Sequence, residues 1–311
     1  MLPLESIVLM LVTGVTLNAV ILAVNFNEWN KSRTLQLCDQ IHIIMGLTNI
    51  LLQCALGLQS TLYFAYTPLL YTGYGFTTCA VLVTFLVYFN IWLNAWLCAH
   101  YFTKIATFTY PFFEWLRGNI SVIMPKLILV SAVGSFSISV PYIWNSRVEI
   151  HAEYYGNASV NLSDIRRTLH VNSTYQLIAA FLGCFFPFMI SNLCLGHTLA
   201  SLWRHVRRIK HTDSGLSPPN LQAHVRAART MTLLLLLYLS YYVAQVVCLV
   251  YKYSDKTFSA IICLLSLSCP AVHSGILIQA SCKMRKYFSH TLMVWEDNAL
   301  TPGLLHGPQT A

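Results

Sequence analysis

The chain has 311 residues, 56% of them hydrophobic and only 10% charged, with a mean hydropathy of +0.58. A soluble domain of that composition would have to hide most of its side chains, so ordinary soluble enzymes and nucleic-acid-binding modules are excluded and a membrane protein is expected. The formal net charge of +8 is then read as basic loops facing an anionic leaflet of membrane lipid, with no nucleic acid as partner.

A transmembrane helix needs about 20 mostly apolar residues. Seven such runs occur, at 6–27, 39–62, 78–102, 123–144, 175–200, 229–251 and 257–280. They predict an all-α fold, a seven-transmembrane helix bundle over residues 1–280, with residues 281–311 as a cytoplasmic tail. Only Met1 to Glu5 precede the first run, without a basic stretch, so that run is expected to stay as an anchor. Asn18 in the first helix and Asn49 in the second are amides able to hydrogen-bond across a bundle, and both are read as structural glue. Asn90 and Asn94 in the third helix are of the same kind. That helix ends in "WLCAHYFTKIATF", where Lys104 closes an apolar run; its stem can follow apolar surface while the ammonium reaches the interface.

After the fourth run, one external loop carries the acceptor sequons of Asn157, Asn161 and Asn172. Two more, at Asn30 and Asn119, fall in expected cytoplasmic loops and should stay unmodified. Pro187 in the fifth helix removes a backbone hydrogen bond and predicts a kink or local bulge; Pro270 and Gly275 do likewise in the seventh. The tail offers a short amphipathic stretch near Tyr287, with Cys282 beside it as a palmitoylation candidate.

Orientation follows from the basic residues. With the N-terminus extracellular, 14 of the 19 Lys and Arg lie on the cytoplasmic side. Five lie outside: Arg147, Arg166, Arg167, Lys252 and Lys256. The positive-inside bias therefore places the C-terminus of a multi-pass membrane protein in the cytoplasm, and the sequon-bearing loop outside. The ten cysteines are read as free thiols acting as small apolar residues, because the loop from Asn145 to Thr174 has none to pair with Cys79. No metal-ligand spacing, phosphate-binding loop or nucleophile elbow occurs, so neither catalysis nor a cofactor or metal is expected. His100, His197, His205, His224 and His273 are read as hydrogen-bonded structural histidines on or near helix ends. A proton-coupled transporter usually keeps acids within its helices, whereas only Asp39 falls inside these spans. No inverted repeat is visible either.

The residues carry a resemblance. "WLNAWLCAHYFTKIATFTYPFFEWL", "SLWRHVRRIKH", "HVRAARTM" with "LLLLYLSYY", and "PAVHSGILI" with "KMRK" resemble, in order, the motifs of the taste receptor type 2 family, the bitter taste receptors among G-protein-coupled receptors. Their lack of "DRY" and of the loop disulfide agrees. The resemblance implies a receptor that binds bitter small molecules in an extracellular-side pocket and activates a gustducin-like heterotrimeric G protein. By family position and helical spacing the pocket candidates are Val83, Thr84, Val87, Tyr88, Gln176, Ala180, Gly183, Tyr241, Gln245, Cys263 and Ser266. Tyr241 matches the family aromatic at the pocket floor. The coupling candidates are Tyr101, Lys104, His205, His224, Arg229, His273 and Ser274. Three departures mark a divergent member: Asn49 stands where the family keeps an Arg, Ser281 where it keeps an Asn, and Val83 and Val87 where it often has Trp and Asn. The alternatives are a vomeronasal type 1 pheromone receptor or, in another class, a seven-helix transporter.

Two readings of Lys104 remain, a snorkelling anchor or a coupling residue. Replacing Lys104 by Ala is expected to lower signalling more than surface expression; equal losses would make it an anchor.

Overall fold

A computed structural model describes residues 4–64, 74–105, 111–152, 165–210, 225–226, 228–240, 243, 256–281 and 283–289. The helices are α1 (Leu4–Ser32), α2 (Leu37–Phe64), α3 (Tyr74–Ile105), α4 (Pro111–Ser139), α5 (Tyr142–Asn145), α6 (Ser173–Ala180), α7 (Phe186–Lys210), α8 (Ala228–Ser240), α9 (Lys256–Ala280) and α10 (Lys283–Ser289). A π-helical turn over Phe181–Phe185 joins α6 to α7. Among the described residues five helical stretches are long and apolar enough to cross a membrane, and α9 with α10 forms a sixth candidate bent by 105°. The apolar α8 covers the start of the sixth predicted run; 241–242 and 244–255 lie outside the described residues.

Several helices run past the apolar segments that announce them. α4 differs most, beginning at Pro111 where the sequence predicts a loop, and it contains Arg117 and Asn119. Proline at a first helical position lacks only an N–H that has no intrahelical partner, and Glu114 in the first turn complements the positive end of the helix. The same helix stops at Ser139, short of the predicted 144, because Pro141 cannot continue the ladder; α5 follows as a separate turn. α1 likewise extends through Asn30 to Ser32 and ends on Arg33, whose φ of 56° is left-handed and whose N–H closes on Trp29 O at 2.8 Å.

Among the described residues, the segment between α5 and α6 is where the chain departs from an all-helical reading. β1 (Ser146–Ala152) and β2 (Ile165–Val171) pair antiparallel, from Ser146 opposite Val171 to Ala152 opposite Ile165. Asn172 N–H bonds Asn145 O at 2.8 Å at the base of this hairpin. Asn172 then caps α6, its Oδ1 accepting from Thr174 N–H at 3.0 Å.

α3 is the central post, packing on α2, α4 and α7, while α1 and α2 both meet α9. Two apolar clusters fill the interior. One, in the half where α1 begins, joins Ile7, Leu52, Leu56, Val83, Val87, Cys184, Tyr238 and Leu267; the other, in the half nearer the tail, joins Ile21, Met45, Leu93, Leu97, Met124, Leu234 and Leu277. Cys79 is buried and sends its thiol to Ala55 O at 3.3 Å, one of the free cysteines among the described residues.

Polar links tie these apolar layers. Trp96 Nε1–H donates to Ser131 Oγ at 2.8 Å between α3 and α4, and Thr48 Oγ donates to Asn90 Oδ1 at 2.8 Å between α2 and α3. Gln53, fully buried on α2, donates through Nε2 to Met10 O of α1 at 2.8 Å and to Leu267 O of α9 at 3.1 Å. Gly14 leaves room for it: a Cβ there would lie 2.8 Å from Gln53 Cδ. Asn18 behaves otherwise than the sequence suggests, bonding Gly14 O within its own helix at 2.8 Å and not reaching across.

Replacing Gln53 by Leu removes both cross-helix bonds and is expected to destabilise the bundle by about 1–2 kcal/mol, read as a lower melting temperature of the purified chain. An unchanged melting temperature would show that Gln53 is not a clamp.

Candidate ligand site and switch

In the half of the bundle where α1 begins, the fifth span breaks its regular spacing. Pro187 has no N–H, and its ring would press on the carbonyl one turn back, that of Gly183. The helix answers with the π-turn, in which Phe186 N–H reaches Phe181 O. This is the local bulge that Pro187 predicts, and the added residue per turn swings Gly183 and Cys184 into the interior, where both are buried. Tyr88 of α3 lies directly against Gly183: a Cβ there would sit 2.5 Å from Tyr88 Cγ and 2.6 Å from Cδ1. Two sequence candidates thus meet, and only glycine fits.

The other pocket candidates divide. Val83 and Val87 are buried in the apolar cluster among α2, α8 and α9 residues, so they pack as core. Thr84 is half-buried and turns its hydroxyl back to Ala80 O at 2.8 Å. Gln176 and Ala180 are half-buried on α6, which Tyr175 fastens to α4 through Ile138 O at 2.9 Å. Ser266 is half-buried on α9, and Cys263 lies on the same helix. Tyr241 and Gln245 lie outside the described residues.

Between the two apolar clusters lies a polar joint. Asn49 Nδ2 and His273 Nδ1 are 2.6 Å apart, both side chains buried. An amide donating to Nδ1 leaves the neutral ring protonated at Nε2. The His273 ring also faces Tyr238 of α8, centroids 5.8 Å apart. Ser274 bonds Pro270 O at 2.7 Å, stiffening α9 beside the missing proline N–H. His273 lies two turns before the end of α9, and Asn49 reaches across the bundle to it, as an amide acting as structural glue would. Tyr238 was missed by sequence reasoning, which chose Tyr241 three residues further on. His100 departs from expectation too: it is buried with neither ring nitrogen hydrogen-bonded.

At the tail face, Tyr101 Oη lies 3.3 Å from Cys38 Sγ, whose sulfur is 3.9 Å from both His42 nitrogens. Lys104 is exposed in the last turn of α3, and Arg229 is exposed at the start of α8. His205 lies on α7; His224 lies outside the described residues. Cys98 of α3, Leu195 of α7 and Met231 of α8 close on one another here.

A bundle in which α3 touches α2, α4 and α7 while α9 returns to α1 and α2 has the seven-transmembrane G-protein-coupled receptor fold, in a multi-pass membrane protein. The chain belongs to the taste receptor protein family (TAS2R), whose profile matches residues 3–296, and so to a family of bitter taste receptors and not of enzymes. It is 28% identical over 283 residues to taste receptor type 2 member 40 of Gallus gallus, covering 90% of this chain and 91% of that one. Taste receptor type 2 member 7 of Macaca mulatta is 27% identical, covering 88% and 86%, and that of Mus musculus 26% identical, covering 88% of each.

Gly183→Ala is expected to displace the Tyr88 ring and lower stability by about 1–3 kcal/mol, and Tyr88→Val in the same chain should recover most of the loss. Additive losses in a double-mutant cycle would show that the two residues are not in contact.

Proposed function

We propose that this receptor binds bitter small molecules in the half of the bundle lined by Tyr88, Gly183 and the α6 and α9 candidates. It passes the signal through His273 to a gustducin-like heterotrimeric G protein at the tail face. The observation that carries this reading is the position of His273, joined to Asn49 on α2 and facing Tyr238 on α8, between the two apolar clusters. A ligand acting on α8 or α9 from one side changes a joint whose other side meets the tail-half apolar cluster. Such a ligand shifts the equilibrium only by its differential affinity for the open form.

The proposed orientation puts the N-terminus outside and the tail inside at the plasma membrane, with 1–280 as the receptor unit and 281–311 as the cytoplasmic tail. Exposed Lys31, Lys104, Arg204, Arg229 and Lys283 support it. Asn172 is exposed, and its cap uses only Oδ1, which leaves the amide nitrogen for a glycan; Asn157 and Asn161 lie outside the described residues. Tyr101, Lys104, His205, His224 and Arg229 are the proposed G-protein contacts or their neighbours.

Calcium release in cells carrying a promiscuous G-protein subunit, screened with bitter compounds, tests this reading. The response should vanish when the G protein is removed, and G-protein-independent substrate flux would sink it. Replacing Asn49 by Ala frees His273 and is expected to raise ligand-independent signalling about fivefold, the equivalent of one interhelical bond of about 1 kcal/mol. A fall in signal that tracks surface expression would mean that the bond only supports the fold.

A further inference from the structure

α10 leaves α9 at 105°, so a helix running along the bundle is followed by one running across it. Ser281 makes the corner: its N–H still bonds Leu277 O at 3.2 Å, while its Oγ accepts Met284 N–H at 3.4 Å and its carbonyl accepts Arg285 N–H at 3.0 Å. The residue that replaces the family's Asn is thus a helix cap. The four-residue spacing of Met284 and Phe288 puts both on the bundle side, where Met284 is buried and Phe288 packs on the tail-half apolar cluster. Lys283, Lys286 and Tyr287 are exposed.

This helix docks on the end of α1. Lys283 Nζ lies 3.5 Å from Glu28 Oε1, and both side chains remain open to solvent. Lys31 follows Glu28 by three residues and shares its side of α1, and Arg33 ends the helix in its left-handed turn. Beside them Trp29 and Phe26 are exposed, 42% and 56%, and meet edge to face at 5.6 Å. Exposed aromatics next to basic side chains suit the membrane interface. Among the described residues, Glu28 is the carboxylate paired with a cation at this corner.

We infer that the corner of α1 and α10 binds the headgroup of a phospholipid carrying more than one phosphate. Lys283 already has a carboxylate, and a headgroup of single charge competes with Glu28 on even terms. A headgroup with several negative charges reaches Lys31, Arg33 and Lys286 together with Lys283 and displaces Glu28. The inference rests on the proposed cytoplasmic tail only for the source of the lipid.

The test uses the purified full chain in nanodiscs of phosphatidylcholine, alone or with phosphatidylserine or phosphatidylinositol bisphosphate at matched total charge. Both leaflets carry the lipid, so a wrong orientation does not hide the result. Native mass spectrometry should show retained bisphosphate lipid with a raised melting temperature. K283Q and K286Q should each weaken retention about fivefold, and E28Q should strengthen it. Melting in phosphatidylcholine alone checks the fold; if K283Q does not fold, K31Q, which lies outside the ion pair, takes its place. Equal retention of phosphatidylserine, or indifference to E28Q, would overturn the site.

Discussion

The hydrogen bond between Asn49 and His273 is the constraint on which the rest of the interior depends. Neither side chain is open to water, and leaving the amide nitrogen and Nδ1 without each other would cost about 1–3 kcal/mol. Each therefore fixes the other: α2 and α9 must keep the rotation that brings them together, and the neutral ring keeps one tautomer. Gln53, four residues along the same face of α2, repeats the principle toward α1 and α9. The group that meets the ring is an amide, so a hydrogen bond without charge holds the joint. Such a joint is easier to rearrange than an ion pair, whose separation in a low dielectric would leave a bare charge.

Above that joint the bundle is shaped by missing backbone hydrogen bonds. Pro187 generates the π-turn, the π-turn brings Gly183 inward, and the bare Gly183 admits the ring of Tyr88. Below it, small and apolar side chains seal α3, α7 and α8. The two halves of the bundle are thus joined by helices whose regularity is broken by proline in both α7 and α9. A helix that has already lost a backbone bond can change its bend at lower cost than a regular one. That property suits a receptor whose response is a change of helix arrangement.

Much of the fold was legible in the chain because lipid imposes one dominant rule: apolar runs of membrane length become helices, since every backbone group must be satisfied within the segment. Pro187 announced its bulge for the same reason. The places where reading failed are those where the rule no longer applies. α4 begins well before its apolar run, because Pro111 and Glu114 nucleate a helix by capping and charge and not by hydropathy. The hairpin of β1 and β2 lies in a polar segment with no period strong enough to reveal it. Val83 and Val87 could equally have lined a pocket or filled a core, and only their neighbours distinguish the two.

The sequence by itself determined the class, through length of apolar runs, absence of buried acids and the ordered motifs of the family, all of which are local properties of the chain. Tertiary structure alone decided the partners. Asn49 and His273 are 224 positions apart, and nothing in either segment says which amide on which helix will face which ring. Glu28 and Lys283 meet only because α10 turns by 105°. Helical period places a side chain on a face; rotation and packing of whole helices decide what that face meets, and those are set by all the contacts of the bundle together.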